Sequence, residues 1–148
     1  ARGKTLYELL LDIYLEFGLY LEELTYIVKK GKSGAELRAG MMQNYRENPP
    51  AELAGSRVVQ IHDYPVSKTQ DIRTGHTSPI ALPKSNVLQF ITEDNTKVSI
   101  RPSGTEPKIK FYFSVKSSLE NQQDYPAQKA RLEEKINTLK NELGITEL

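Results

Sequence analysis

Residues 108–115 alternate strictly: Ile109, Phe111, Phe113 and Val115 share one side of an extended chain, and Lys108, Lys110, Tyr112 and Ser114 share the other. A period of two is the period of a strand, whose successive side chains leave opposite faces of a sheet. The apolar side has to be covered and the polar side does not. Runs at 87–92 and 97–101 read as two shorter strands around Glu93-Asp94-Asn95-Thr96, a hairpin turn in which Asn tolerates positive φ. Residues 57–62 and the β-branched, aromatic stretch 24–30 add two more strands.

Helical periods alternate with these runs. Thr5-Leu6-Tyr7-Glu8 has the form of a capping box, followed by Leu6, Leu10, Ile13 and Phe17 on one face and Gly18 as a stop. Glu8, Asp12 and Glu16 fall four apart on another face and read as a solvated stripe rather than a cation site. Ser33-Gly34-Ala35-Glu36 is a second candidate capping box. Leu37, Met41 and Tyr45 recur behind it every four residues, and that helix should end before Pro49-Pro50. Met41 and Met42 read as core filler. The last helix is predicted over 127–143, with Leu132, Ile136, Leu139 and Leu143 inward and Gly144 at its end.

The sum is an α+β fold, a mostly antiparallel sheet flanked by helices. The first helix has a full apolar stripe but belongs to nothing after it. Residues 1–23 are therefore expected to be the terminal helix of a preceding domain and a linker, and residues 24–148 one domain. Residues 63–85, interrupted by Pro65, Gly75, Pro79 and Pro83, are expected to be irregular and mobile, and able to fold over a nearby ligand with Lys68, Arg73 or His76. His62 and His76 are expected to be strand-end or loop residues, since neither lies in a catalytic pattern.

Composition limits the chemistry. The 148 residues carry 20 Lys and Arg against 19 Asp and Glu, a net charge of +1. No global field draws nucleic acid or an anionic membrane, so anion binding has to come from a local site. There is no cysteine, hence no disulfide or thiolate metal site. No secretory signal is visible. Glu8, Asp12 and Glu16 spoil the most apolar stretch as a membrane span. A cytoplasmic protein without a membrane is the expectation.

One segment suits a local anion site: Arg101-Pro102-Ser103-Gly104-Thr105-Glu106-Pro107. It joins two strands. Arg101 offers a planar charged fork that fits phosphate bidentately. Ser103 and Thr105 add hydroxyls, and Gly104 lets successive N–H groups converge into a nest. Pro102 and Pro107 fix φ on either side. A turn merely rich in turn residues would look similar. No Walker loop is present.

The run from Arg101 to Lys110 resembles the phosphate-binding loop of the α-D-phosphohexomutase family. Leu82-Pro83-Lys84-Ser85-Asn86-Val87-Leu88, the Glu93-Asp94 hairpin, and Asn48-Pro49-Pro50 before Gly55-Ser56-Arg57 resemble its phosphoglucomutase/phosphomannomutase branch, with similarity from about residue 3 onward. The resemblance implies four domains around a cleft: a phosphoserine in the first, an Asp-rich Mg²⁺ loop in the second, a sugar-reading loop in the third, and a fourth that grips the non-reacting phosphate. Only the fourth maps here, onto Arg101, Ser103, Gly104 and Thr105. Where some relatives carry a further arginine, this chain has Tyr112, so Lys110, with Lys108 as the alternative, is expected to supply the second cation. The chain is thus expected to be the C-terminal fragment of an isomerase that transfers phosphoryl groups intramolecularly, inactive alone. It holds no catalytic serine, cofactor or metal, and Mg²⁺ is expected in the parent. The expected partners are a hexose phosphate and the parent's other domains. The alternative is an interaction module, or one binding single-stranded nucleic acid through Tyr112, Phe113 and the Lys108/Lys110 face.

Overall fold

The computed structural model describes residues 3–81 and 85–145. Helix α1, Leu6–Phe17, leads into strand β1, Leu19–Val28, and helix α2, Gly31–Glu47. Strands β2, Glu52–Leu53, β3, Ser56–Asp63, β4, Lys68–Asp71, and β5, Thr77–Pro79, follow. Strands β6, Leu88–Thr92, β7, Lys97–Pro102, and β8, Lys108–Ser117, precede a 3₁₀ turn, Gln122–Asp124, and helix α3, Tyr125–Glu142. The strands form one sheet in the order β1-β8-β7-β6-β3-β4-β5, with β2 paired to β3. Every pairing among the described residues is antiparallel. The α+β layout is the one the sequence predicts.

Register carries the alternation across the sheet. Phe90 faces Val98, which faces Phe113, and Leu88 faces Ile100, which faces Phe111. All six are at most 1% exposed. Leu132, Ile136, Leu139 and Leu143 of α3 and its C-terminal end close over this side, with Met42 and Tyr45 of α2. The Tyr45 hydroxyl donates to the Leu143 carbonyl at 2.7 Å, tying the two helices together inside the core. Asn95, at φ +63°, turns the β6–β7 hairpin as expected. Asp94 in that turn accepts from Thr92 Oγ1 at 2.5 Å and pairs with Lys135 of α3.

Several local expectations change. The predicted strand at 24–30 starts at Leu19 and pairs with β8 over ten residues, which the Glu22-Glu23 pair hid. Helix α2 begins at Gly31 with Lys30 as its N-cap and no side-chain cap, so Ser33 lies inside the first turn rather than capping it. On α2, Met42 and Tyr45 turn inward, while Leu37 is exposed. The α1 capping box forms, with Glu8 N donating to Thr5 Oγ1 at 3.2 Å and Thr5 N to Glu8 Oε2 at 2.7 Å. Its Leu6, Leu10, Ile13, Phe17 stripe faces solvent. The helix instead buries Leu11 and stacks Tyr14 on Tyr125, ring centroids 5.8 Å apart.

The 63–85 segment is also more regular than expected. Strand β4 pairs with β3 and β5 pairs with β4, extending the sheet. Residues 82–84, with Pro83, lie outside the described residues. Its proposed cations do not converge on the 101–107 loop. Register puts Lys68 at the loop's end of the sheet but three strands away, about 14 Å at ordinary strand spacing. Arg73 and His76 sit around the β4–β5 turn at the opposite end, and Arg73 pairs with Asp71 at 3.2 Å. His62, in β3, holds Thr69 Oγ1 at 2.7 Å through Nδ1.

Burial pushes the Tyr45 phenol up to about 12 from its ordinary 10.0. A raised phenol favours the folded state fully below pH 10 and loses that contribution as pH rises towards the folded value. Tyr45→Phe should cost about 1–3 kcal/mol at neutral pH, because the Leu143 carbonyl is left buried and unpaired. Its unfolding free energy should also fall less steeply than wild type through the alkaline range. Denaturant melts of both proteins from neutral to alkaline pH check this, and parallel curves would contradict the assignment.

Candidate anion-binding site

The 101–107 loop is held at both ends by the β7–β8 ladder. Ser103 N donates to the Lys108 carbonyl at 2.8 Å, and Glu106 N to Ser103 Oγ at 3.2 Å. The Pro107 carbonyl accepts from Lys29 N at 2.8 Å, which continues the β1–β8 ladder by one rung. These bonds close the turn without using its tip. Among the described residues, the N–H groups of Gly104 and Thr105, the Thr105 hydroxyl and the Arg101 guanidinium have no protein partner.

Gly104 lies in a bend over residues 104–107, as expected, but without a left-handed backbone. It is absent from the positive-φ glycines, and a Cβ built on it meets nothing within 4 Å. What glycine leaves there is open space beside two free N–H groups.

The pleat decides which cations flank the loop. Ile109 and Phe111 are buried on the helix side, so Lys108, Lys110 and Tyr112 stand on the other. Arg101 pairs with Lys110 across β7–β8, and Lys110 pairs with Tyr26 across β8–β1. Two cations thus face each other in adjacent strands, an arrangement that costs stability unless an anion lies between them. Among the described residues no carboxylate pairs with either.

Lys108 is differently placed. Its ammonium lies 2.5 Å from Glu106 Oε2 and 4.8 Å from the centroid of the Tyr26 ring. The hydrogen bond to Glu106 raises the Lys108 pKa, and the same bond lowers that of Glu106. Sequence reasoning placed both lysines on one face but missed Glu106 and Tyr26 as the groups that separate their roles. Register with Arg101, which appears only once the hairpin closes, was the missing signal.

Tyr112 stands one row further along the open face, opposite Ser99 and Leu24. With Glu22, Lys97 and Ser114 these residues line a shallow depression of about 400 Å³. Phe113 is 1% exposed, so of the two aromatics expected on a base-stacking face of β8 only Tyr112 stands on this side. No cluster of three or more His, Cys, Asp or Glu able to hold a metal occurs among the described residues. None of their helices is long and apolar enough to cross a membrane.

The class is an α+β domain whose one-sided antiparallel sheet carries a hairpin loop with unpaired donors at its tip. Residues 41–137 match the phosphoglucomutase/phosphomannomutase C-terminal domain, and the chain belongs to that family. It is 39% identical over 113 residues to a phosphoglucomutase of Staphylococcus saprophyticus, covering 76% of this chain and 20% of that protein. It is equally similar, over 114 residues, to a phosphoglucomutase of Staphylococcus aureus, covering 77% and 20%. The chain therefore spans about a fifth of the length of these curated relatives. Among solved structures, the open form of the Paramecium phosphoglucomutase parafusin aligns over 93% of this chain and 23% of that one, with 15% identity and a TM-score of 0.48.

The Glu106–Lys108 pair is directly testable. Lys108→Met should raise the titration midpoint of the Glu106 carboxyl, followed by its carboxyl carbon signal in an acid titration. An unmoved midpoint would mean that the pair does not persist in solution, leaving Lys108 as available as Lys110.

Proposed function

We propose that this chain is the C-terminal phosphate grip of a phosphohexomutase that interconverts hexose phosphates, and that it holds the phosphate that is not reacting. The observation that carries the reading is the Arg101–Lys110 pair, two opposed cations with no salt bridge to either and Glu106 acting on Lys110 only at longer range, beside the free N–H groups of Gly104 and Thr105. Arg101 takes two phosphate oxygens in a planar fork. Thr105 and Ser103 offer hydroxyls, and Lys110 supplies the second positive charge. Lys108 is occupied by Glu106.

Phosphoryl transfer depends mostly on positioning and charge stabilisation. A sugar that presents first one end and then the other to a single nucleophile needs a distant grip that works in both orientations. A phosphate cup meets that need, since it does not read which hydroxyl carries the phosphate. Correct placement of the reacting end is worth roughly 7–11 kcal/mol of barrier. This reading assigns Mg²⁺, the nucleophilic serine and the sugar-reading groups to the rest of a cytoplasmic parent; among the described residues no His, Cys, Asp or Glu cluster fits a metal. It also assigns residues 1–23 to the end of the preceding domain. The solvent-facing Leu6, Leu10, Ile13 and Phe17 stripe supports this for α1, although the sheet already begins at Leu19.

The chain alone should show no mutase activity. With hexose 1-phosphate and a bisphosphate primer, a coupled assay should stay at background, and metal-dependent turnover by the pure chain would overturn the reading. Inorganic phosphate should bind weakly, shifting the Gly104 and Thr105 amides. Lys110→Met should weaken that binding, and in the full-length parent should lower kcat/KM about tenfold to a hundredfold, the ~1.5–3 kcal/mol of a hydrogen bond to a charged group. Lys108→Met should do less. Because Lys110 opposes Arg101, its removal should leave the free chain at least as stable as before. Phosphate shifts confined to another surface, or equal near-wild-type kinetics for both variants, would count against the site.

A further inference from the structure

Helix α2 starts against the same residue that anchors the loop. Lys29 N–H donates to the Pro107 carbonyl at 2.8 Å, while the Lys29 carbonyl accepts from Arg38 Nη1. Gly34, buried in the first turns of α2, closes on that carbonyl from the other side. A Cβ built on Gly34 would lie 2.3 Å from the Lys29 oxygen and 2.5 Å from its carbonyl carbon. Both obstacles are backbone, so no side-chain rotation makes room. Gly34 is not among the positive-φ glycines. Glycine is a poor helix former, and here space rather than conformation requires it. Gly40, in the same helix, has nothing within 4 Å of a built Cβ.

We propose that Gly34 is a positioning residue for the 101–107 loop, acting through Lys29 and Pro107, with Arg38 as its second clamp. The proposal rests on the reading of the loop as a phosphate cup. Pro107 is the loop's last residue, and Lys108 behind it is fixed by Val28 of β1 and by Ser103 N, which donates to its carbonyl at 2.8 Å. The Lys29–Pro107 bond therefore sets where the flexible end of the turn lies relative to Arg101. A methyl group at residue 34 has to push the Lys29 carbonyl away; the built Cβ also lies 3.4 Å from the Lys29 Cα, through which the displacement reaches the N–H bonded to Pro107. Preorganised donors lose their advantage under displacements of about 1 Å.

The test compares Gly34→Ala, Gly40→Ala and Arg38→Met in the whole chain, reading loop amide shifts and inorganic phosphate affinity well below the melting temperature. Gly34→Ala should shift the Gly104 and Thr105 amides in the ligand-free protein and weaken phosphate binding about tenfold. Gly40→Ala should change neither. A purely structural role for Gly34 would lower the melting temperature yet leave the folded protein with native loop amides and native affinity, and that result would overturn the proposal. If Gly34→Ala does not fold, Arg38→Met decides. Displaced loop amides with several-fold weaker phosphate binding support the coupling, and wild-type values for both refute it. If the wild-type chain binds no phosphate at the loop, the cup reading fails, while the ligand-free amide shifts still decide whether Gly34 positions the turn.

Discussion

The burial of one side of β8 sets the terms for everything else. Ile109, Phe111, Phe113 and Val115 are almost wholly removed from water. At roughly 1.5–3 kcal/mol for each large apolar side chain, the row contributes on the order of 6–12 kcal/mol before conformational entropy is counted. A slip of one residue would turn this row to solvent and bring Lys108, Lys110 and Tyr112 against α3. The register of β8 is therefore not negotiable, and its outward residues follow from it. Lys110 stands opposite Arg101 because the pleat leaves it nowhere else to go. The repulsion of that pair, worth about 0.2–1 kcal/mol by the scale of cross-strand pairs, is small beside the burial that imposes it. The core can thus hold two cations together in advance of any ligand.

The parts of the fold legible in the sequence were those whose signal is local. β6, β7, β8 and α3 each carry their own period, and Asn95 marks its turn. What escaped depends on partners distant in sequence. β4 has one inward-looking residue for each polar outward one and no apolar side chain at all, yet it forms because the edge of β3 offers a ladder. Glu22 and Glu23 are poor strand residues, but ten pairings with β8 override that, and Glu23 gains Lys140 of α3 as an ion-pair partner. On α1 the stripe was read as belonging to nothing after it, and it faces solvent; the contacts the helix does make, through Leu11 and Tyr14, escaped, since periodicity gives a face without saying what covers it.

The candidate site divides in the same way. Arg101, Ser103, Gly104 and Thr105 could be picked out from residue type and spacing. The choice between Lys108 and Lys110 could not, because it turns on Glu106 and on register. Gly104 was picked for a bend, and residues 104–107 do bend, without a positive φ at Gly104. Its value lies in the side chain it lacks, beside N–H groups left without partners.

That pattern of satisfied and unsatisfied groups explains how the turn can be both stable and receptive. Ser103 N, Glu106 N and Lys108 N are bonded within the turn, and the Pro107 carbonyl is bonded to β1's extension. Pro102 and Pro107 remove further freedom from the unfolded chain. The cost of ordering the loop is thus met during folding, by bonds at its base. The donors at its tip need only be exposed to remain solvated, so leaving them unpaired costs little until a ligand arrives. On the phosphate-grip proposal, an anion would meet groups already in place, and little of its binding energy would go into ordering the loop. The same economy makes the site sensitive to its supports rather than to its tip alone: a shift in the residue that anchors Pro107 moves the donors together, without breaking any bond they make themselves.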